Sequence, residues 1–488
     1  MPVFMIAFPV FFPILAGGVL IAFPEMKRKT RNIYTFVVSL VNLAMVLALI
    51  TGGMTMDMEM IRFTDDLVFA FRIDGLGMLF ALLVSVLWPF SLLYSYEYME
   101  DDPRPGTFYM FFMMTLGAVL GIAFARDFFS MYVFYEILTL VTFPLVMHEM
   151  SPEAMKAGRH YLVYMLGGAA FAFIGMVIML TYGETLDFTY GGVLGASAAA
   201  HGGMLVFVFF VTFMGLGVKA AIMPFGKWLI EAAVAPMPVT GLLHAVAVVK
   251  AGAFALIRLI YYIYGTEFLK GTWAQYLCMA ICAFTILYGS SMAVKELHLK
   301  RRLAYSTISN LSYVVFGAVL LSPVGMAASL THLVMHAVAK IGLFFCVGAL
   351  MHTNHKVYQY EIDGIGKKMR WTFTAFTLCG LSLIGIPQFG GFISKYRLLQ
   401  AVIADDGWAA YAGGLCLIIS ALLTAVYLLI TVQKAFFPAD GHLCDGFEKV
   451  RDPGWRMLVP IYFSVLMSVL LGLFWQPLAE MINAVARV

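Results

Sequence analysis

Runs of about 20 apolar residues recur along almost the whole chain, and each is long enough to cross a ~30 Å hydrocarbon layer as a helix rising 1.5 Å per residue. Fourteen are predicted, at residues 2–22, 33–52, 74–95, 108–125, 128–147, 159–182, 204–235, 239–264, 273–293, 303–321, 326–352, 372–404, 408–435 and 457–477. This predicts an all-α integral membrane protein with no soluble domain at either end. The charge content agrees. Of 488 residues, 31 are Lys or Arg and 28 are Asp or Glu, 12% in all, against about 25% in soluble domains. A net charge of +3 offers no basic surface for nucleic acid. The six cysteines include no C-x-x-C pair for zinc or redox work. The apolar amino terminus lacks a basic leader and an A-x-A site, so it is expected to be a retained first helix.

Two spans are too long for one straight helix. The seventh contains Ala221-Ile222-Met223-Pro224-Phe225-Gly226 and the twelfth contains Gly385-Ile386-Pro387-Gln388-Phe389-Gly390-Gly391. Proline removes a backbone donor and clashes with the preceding turn, so each is expected to be a broken helix. Irregular backbone at membrane depth is tolerated only where protein or a wet cavity surrounds it. Two breaks about five helices apart suggest an internal repeat. With the amino terminus placed outside, the inner connections carry 18 Lys and Arg and the outer ones five. That bias predicts both termini on the non-cytoplasmic side.

Eight basic residues then remain inside spans: Lys219, Lys227, Lys250, Arg258, Lys340, Lys395, Arg397 and Lys434. An ammonium at mid-span costs about 2.5–3.5 kcal/mol even on the mildest insertion scale. Arg258, Arg397 and Lys434 lie near span ends or the second break and are read as structural, because long side chains reach back to water. Lys227 follows the first break and fits either role. Lys219, Lys250 and Lys340 sit deep among small or apolar neighbours, where burial favours the neutral amine and brings a lysine toward proton exchange. The competing reading is a fixed ion pair that only sets packing. Lys395 lies just past the second break. Glu136 is the one carboxylate near the middle of a span and the natural partner for a lysine on another helix. Glu231 is a second candidate, equally readable as an interfacial carboxylate.

His332, His336 and Lys340 stand four residues apart on one helix face, a spacing that stacks three titratable groups in a hop path. The same pair of histidines could be structural or bind metal, although no Glu follows the first as in a metalloprotease. Two such histidines could not sandwich one haem iron. His244, six residues before Lys250, is off that lysine's helical face and would reach it through water or a third group. No cofactor or metal is therefore expected in this chain.

The segment Gly217-Val218-Lys219-Ala220-Ala221-Ile222-Met223-Pro224-Phe225, followed by Trp228-Leu229, Ala235-Pro236, Leu242-Leu243-His244-Ala245 and Val249-Lys250-Ala251-Gly252, resembles the antiporter-like membrane subunits of respiratory complex I and of Mrp-type cation/proton antiporters. Lys300-Arg301-Arg302-Leu303-Ala304-Tyr305-Ser306 resembles the opening of that family's tenth helix. His332 to Lys340 resembles its eleventh, and Gly385-Ile386-Pro387 to Lys395 its broken twelfth. The resemblance covers roughly residues 70–435. In length, the D-type members of Mrp antiporters, the M- and N-type members of complex I and the relatives in membrane-bound hydrogenases are nearest.

The resemblance implies 14 transmembrane helices, with two inverted five-helix repeats, each containing a broken helix. The implied organisation is helices 1–3 in 1–100, a first repeat in 108–264, a second in 273–435 and a last helix in 457–488. It makes Glu136 the fifth-helix glutamate, Lys219 the seventh-helix lysine, Lys250 the eighth-helix lysine and Lys395 the twelfth-helix lysine. One departure stands out. Many members read Pro-Phe/Leu-His-x-Trp-Leu-Pro-Asp/Glu after the first break, whereas this chain reads Pro224-Phe225-Gly226-Lys227-Trp228-Leu229-Ile230-Glu231. The expected function is proton translocation within a multisubunit complex of the inner membrane, through Glu136, Lys219, His244, Lys250, His332, His336, Lys340 and Lys395, with Lys227 and Glu231 accessory. The expected partners are other membrane subunits, lipid and protons, with sodium as the alternative coupling ion. A sodium/proton antiporter subunit without redox partners and a stand-alone secondary transporter are the alternatives.

Overall fold

The computed structural model describes residues 4–51, 57–438 and 443–488; residues 2, 3 and 52 of the predicted spans lie outside them. The chain opens with α1 (Phe4–Ala22) and α2 (Arg28–Thr51), then a hairpin of β1 (Asp57–Arg62) and β2 (Val68–Arg72), then α3 (Gly75–Tyr98), α4 (Pro105–Phe124), α5 (Phe128–Val146) and α6 (Pro152–Tyr182). α7 (Gly202–Gly217) and the short α8 (Lys227–Glu231) occupy the seventh predicted span. α9 (Met237–Ala245) and α10 (Val248–Arg258), which runs on as a π-helical turn, occupy the eighth. After α11 (Thr266–Leu269) come α12 (Trp273–Lys295), α13 (Leu299–Val319) and α14 (Pro323–Asn354). α15 (Arg370–Ile384) and α16 (Gly390–Asp405) share the twelfth span, and α17 (Trp408–Phe436), α18 (Trp455–Leu473) and α19 (Gln476–Ala486) complete the chain.

Helix starts follow from short polar side chains that take up free backbone donors. Asp74 accepts from Gly77 N, Asp127 from Ser130 N and Ser151 from Ala154 N. Pro152 and Pro323 sit in the first turns of α6 and α14, where a missing N–H costs nothing. Among the described residues, eleven spans are long and apolar enough to cross a membrane, so the protein is a multi-pass membrane protein. Two of them, Met237–Tyr264 and Pro323–Asn354, are buried along the whole of their apolar 18-residue stretch. An apolar helix wrapped by protein on every side is a core element, and these two form the axis of the molecule. Helices such as α6 and α17 present Val163, Phe171, Leu415 and Leu422 outward, as lipid contact requires.

Three expectations need correction. The fold is helical but not purely so, because Asp57–Arg62 pairs antiparallel with Val68–Arg72. The strand is stabilised from outside the local sequence: Arg72 and Arg126 share Asp57 and Asp187 in one ion cluster. The eighth span is not one helix, since Val246 and Ala247 leave helical geometry between α9 and α10. Lys300 and Arg302, counted above with an inner connection, lie in the first turn of α13 and are buried.

Arg258 fits its structural reading. It is 1% exposed, forms a two-pronged ion pair with Asp74 and lies against the rings of Phe188, Phe254 and Tyr262. The pair ties the end of α10 to the start of α3. Removing one partner of a buried pair strands the other charge, at about 3–5 kcal/mol. Asp74→Ala should therefore lower the melting temperature in detergent more than the double variant Asp74→Ala/Arg258→Met does, as read by fluorescence-detected size exclusion after heating.

Candidate functional site

α7 stops at Gly217, and residues 218–226 turn without regular helix before α8. The turn's carbonyls are not left bare. Tyr135 donates its hydroxyl to Leu216 O at 2.9 Å and Trp228 donates Nε1–H to Val218 O at 2.8 Å. Lys219 lies in this turn, 1% exposed. Its Nζ donates to Tyr135 O at 2.6 Å and Thr139 Oγ1 at 2.8 Å, sits 3.3 Å above the Tyr135 ring, and is 3.6 Å from Glu136 Oε1. Tyr135, Glu136 and Thr139 all come from one turn of α5. The pair expected between the fifth and seventh spans is thus present in the geometry. Thr139 and the Tyr135 carbonyl, which carry no charge to mark them in sequence, complete it.

α10 runs beside this turn. A Cβ at Gly252 would lie 2.8 Å from the Lys219 carbonyl carbon and 2.9 Å from Lys219 Cβ, so only glycine allows that approach. Two residues earlier, Lys250 is fully buried and its Nζ is hydrogen-bonded to His336 Nδ1 on α14. This bond joins the two axial elements. His336 and His332 stack with ring centroids 6.0 Å apart. His332 Nδ1 is 3.0 Å from Ser394 Oγ on α16, and that hydroxyl donates to Gly391 O.

Tyr313 of α13 stacks on His332 at 5.1 Å, and its other neighbour is Lys395, whose Nζ lies 5.6 Å from the ring. Lys395 is half-buried and donates at 2.9 Å to Ile384 O, the last carbonyl of α15. The second break is therefore organised around a lysine, with Gly385 in the left-handed region (φ 97°) closing the helix.

His244 and Lys340 meet through Phe344. The His244 ring is 4.9 Å from that ring and Lys340 Nζ is 5.8 Å from it. Neither nitrogen of His244, nor Lys340 Nζ, has a hydrogen-bond partner among the described residues. The six-residue spacing from His244 to Lys250 spans a break, so helical faces do not govern it. Lys227 and Glu231 stand apart from this line, near the surface: Lys227 Nζ is 3.5 Å from Glu231 Oε1. His160 of α6, which sequence reasoning missed, completes that group at 2.8 Å from Glu231 Oε2. The group borders a cavity of about 380 Å³ lined by Tyr164, Pro224 and Arg301, so α6 supplies a histidine beside the break that lacks one. Among the described residues no cluster of three His, Cys, Asp or Glu is arranged to hold a metal ion.

Known proteins resemble this chain in both sequence and fold. Residues 125–424 match the family described as NADH:quinone oxidoreductase/Mrp antiporter, TM, and residues 61–109 match the family described as NADH-Ubiquinone oxidoreductase (complex I), chain 5 N-terminus. The chain is 30% identical over 372 residues to NADH-quinone oxidoreductase subunit L of Mycobacterium tuberculosis, covering 76% of this chain and 57% of that one. It is 30% identical over 414 residues to NADH-quinone oxidoreductase subunit N of Desulforudis audaxviator, covering 82% and 81%. In fold it is similar to a chain of the Mrp complex from Dietzia sp. DQ12-45-1b, with a TM-score of 0.86 at 20% identity, covering 99% and 97%.

The close pass of α10 over Lys219 makes a specific demand on residue 252. Overpacking a dense site typically costs about 1–3 kcal/mol. Gly252→Val should lower the melting temperature of the purified protein by several degrees, whereas Gly167→Val, where a Cβ meets nothing within 4 Å, should leave it unchanged.

Proposed function

The chain belongs to the NADH:quinone oxidoreductase/Mrp antiporter family of membrane subunits, and we propose that it is the proton-translocating subunit of a multisubunit complex in the inner membrane. In this reading the chain crosses the bilayer 14 times with both termini outside. Residues 1–100 and 457–488 flank two inverted five-helix repeats, 108–264 and 273–435, each containing one of the broken helices. The observation that carries the reading is the Lys250–His336 bond, which connects the only two spans whose apolar stretch is wholly buried among the described residues.

The hydrogen bonds support one direction along this line. Ser394 spends its proton on Gly391 O, so it accepts from His332 Nδ1–H and leaves His332 Nε2 unprotonated. With Lys250 charged it can only donate to His336 Nδ1, and neutral His336 then carries its proton on Nε2. One ring then presents a donor and the other an acceptor. A proton passed from Lys250 to His336 Nδ1 releases the Nε2 proton toward His332 Nε2, and the charge moves on to Lys395 at the second break. Lys250 is recharged from Lys219 across the contact at Gly252, with water as the bridging group. Glu136 is the gate. Buried surroundings disfavour an isolated ammonium, so Lys219 keeps its proton while Glu136 faces it and gives it up when the pair opens. His244 and Lys340, sharing Phe344, hold a second proton site beside the main line.

Similarity to quinone oxidoreductase subunits and to an Mrp complex supports two drivers, a redox partner or an exchanged cation such as sodium. Co-purification with iron–sulfur or nickel subunits favours the first, and with small membrane subunits alone the second. In everted vesicles holding the assembled complex, Lys219→Ala should abolish acridine-dye quenching while leaving subunit assembly intact. Glu136→Gln, which keeps the shape but removes the counter-charge, should slow translocation at least tenfold. Normal quenching by Lys219→Ala overturns the gate.

A further inference from the structure

One buried lysine has no place in the line just described. Lys300, in the first turn of α13, is 4% exposed and donates from Nζ to Ala235 O, the carbonyl at the foot of α9. Among the described residues no carboxylate lies within ion-pair distance of it. A buried ammonium held by one neutral carbonyl is an expensive way to cap a turn, and an arginine with more donors would serve that purpose better, as Arg302 does with Thr431, Gln359 and the Glu296 carbonyl.

The surroundings of Lys300 suggest a use. A cavity of about 340 Å³ opens at this end of the molecule, lined by Asp102, Arg104, His148, Glu149, Pro236 and His352. Its wall reaches Pro236, the residue next to the carbonyl that holds Lys300. Glu149 is exposed there, on the same cavity wall as Pro236. His148 and Asp102, paired at 2.9 Å and both nearly covered, form the cavity's inner edge. At the other end of α9, roughly 12 Å away at 1.5 Å per residue, stands His244, whose two ring nitrogens have no hydrogen-bond partner among the described residues.

Resting on the translocation reading above, we infer that Glu149 and Lys300 form a second cytoplasmic proton port that loads His244 and Lys340, with onward release still governed by the Glu136–Lys219 gate. Glu149 takes a proton from bulk water and hands it, through water in the cavity, to the neutral Lys300 amine. The resulting ammonium passes one proton along α9 to the neutral His244 imidazole, again through water. Each hop moves one proton and returns its carrier to the starting state.

The test uses vesicles containing the assembled complex and compares Lys300→Arg, Glu149→Gln and Lys219→Ala. Arginine keeps the charge and the bond to Ala235 O but cannot release a proton, so a merely structural Lys300 would tolerate it. The port predicts that Lys300→Arg assembles yet loses at least fivefold in translocation rate, and that Glu149→Gln, an exposed change, loses at least twofold. Wild-type rates in Lys300→Arg overturn the port. Should that variant fail to assemble, wild-type rates in Glu149→Gln overturn it. Normal translocation by Lys219→Ala instead overturns the gate, and with it the translocation reading on which the port rests.

Discussion

Keeping an ammonium group away from water costs several kcal/mol unless hydrogen bonds and charges stand in for the lost hydration, and this protein does so repeatedly at its centre. Much of the architecture follows from that expense. Helices break where a lysine needs partners. The first break places Lys219 against Thr139, Glu136 and a carbonyl of α5, and the second leaves Ile384 O for Lys395. The axial elements are enclosed by other helices along their apolar stretches, so their polar groups face protein and not lipid: Lys250 bonds His336, His332 reaches Ser394, and His244 and Lys340 have no hydrogen-bond partner among the described residues. Solvation varies along the line. Lys219 has three partners, Lys250 has a histidine and Lys340 has only a ring nearby. A proton moves readily only among sites of similar energy, which is what the proposed relay asks of these groups.

Much of the fold was legible because bilayer thickness sets span length and proline sets helix ends. The breaks at Pro224 and Pro387 announced themselves through residues that cannot continue a helix. The break at Val246 and Ala247 did not, since both residues are helix-compatible and only packing imposes the turn. The hairpin of β1 and β2 was hidden for a similar reason. Its stability comes from Arg126 and Asp187, distant in sequence.

The candidate site was legible wherever a charge stood out against an apolar background, as at Glu136, Lys219, Lys250 and Lys340. It was not legible where a charge looked ordinary. Lys300 sits in a run with Arg301 and Arg302 that reads as an inner connection, and His160 sits near the polar start of α6. In both cases the tertiary arrangement assigns the surroundings, and no periodicity in the chain reports it. Nor could spacing say that Lys250 would reach His336 and not His244, because the pairing crosses from one helix to another.

The central claim is that Lys250 and His336 act in series on one proton path. A double-substitution cycle on translocation rate tests it most directly, with Lys250→Met, His336→Phe and the pair together measured in vesicles of the assembled complex. Groups in one series path give a double variant no slower than the slower single one. Losses that multiply, or a normal rate in either single variant, would contradict the account.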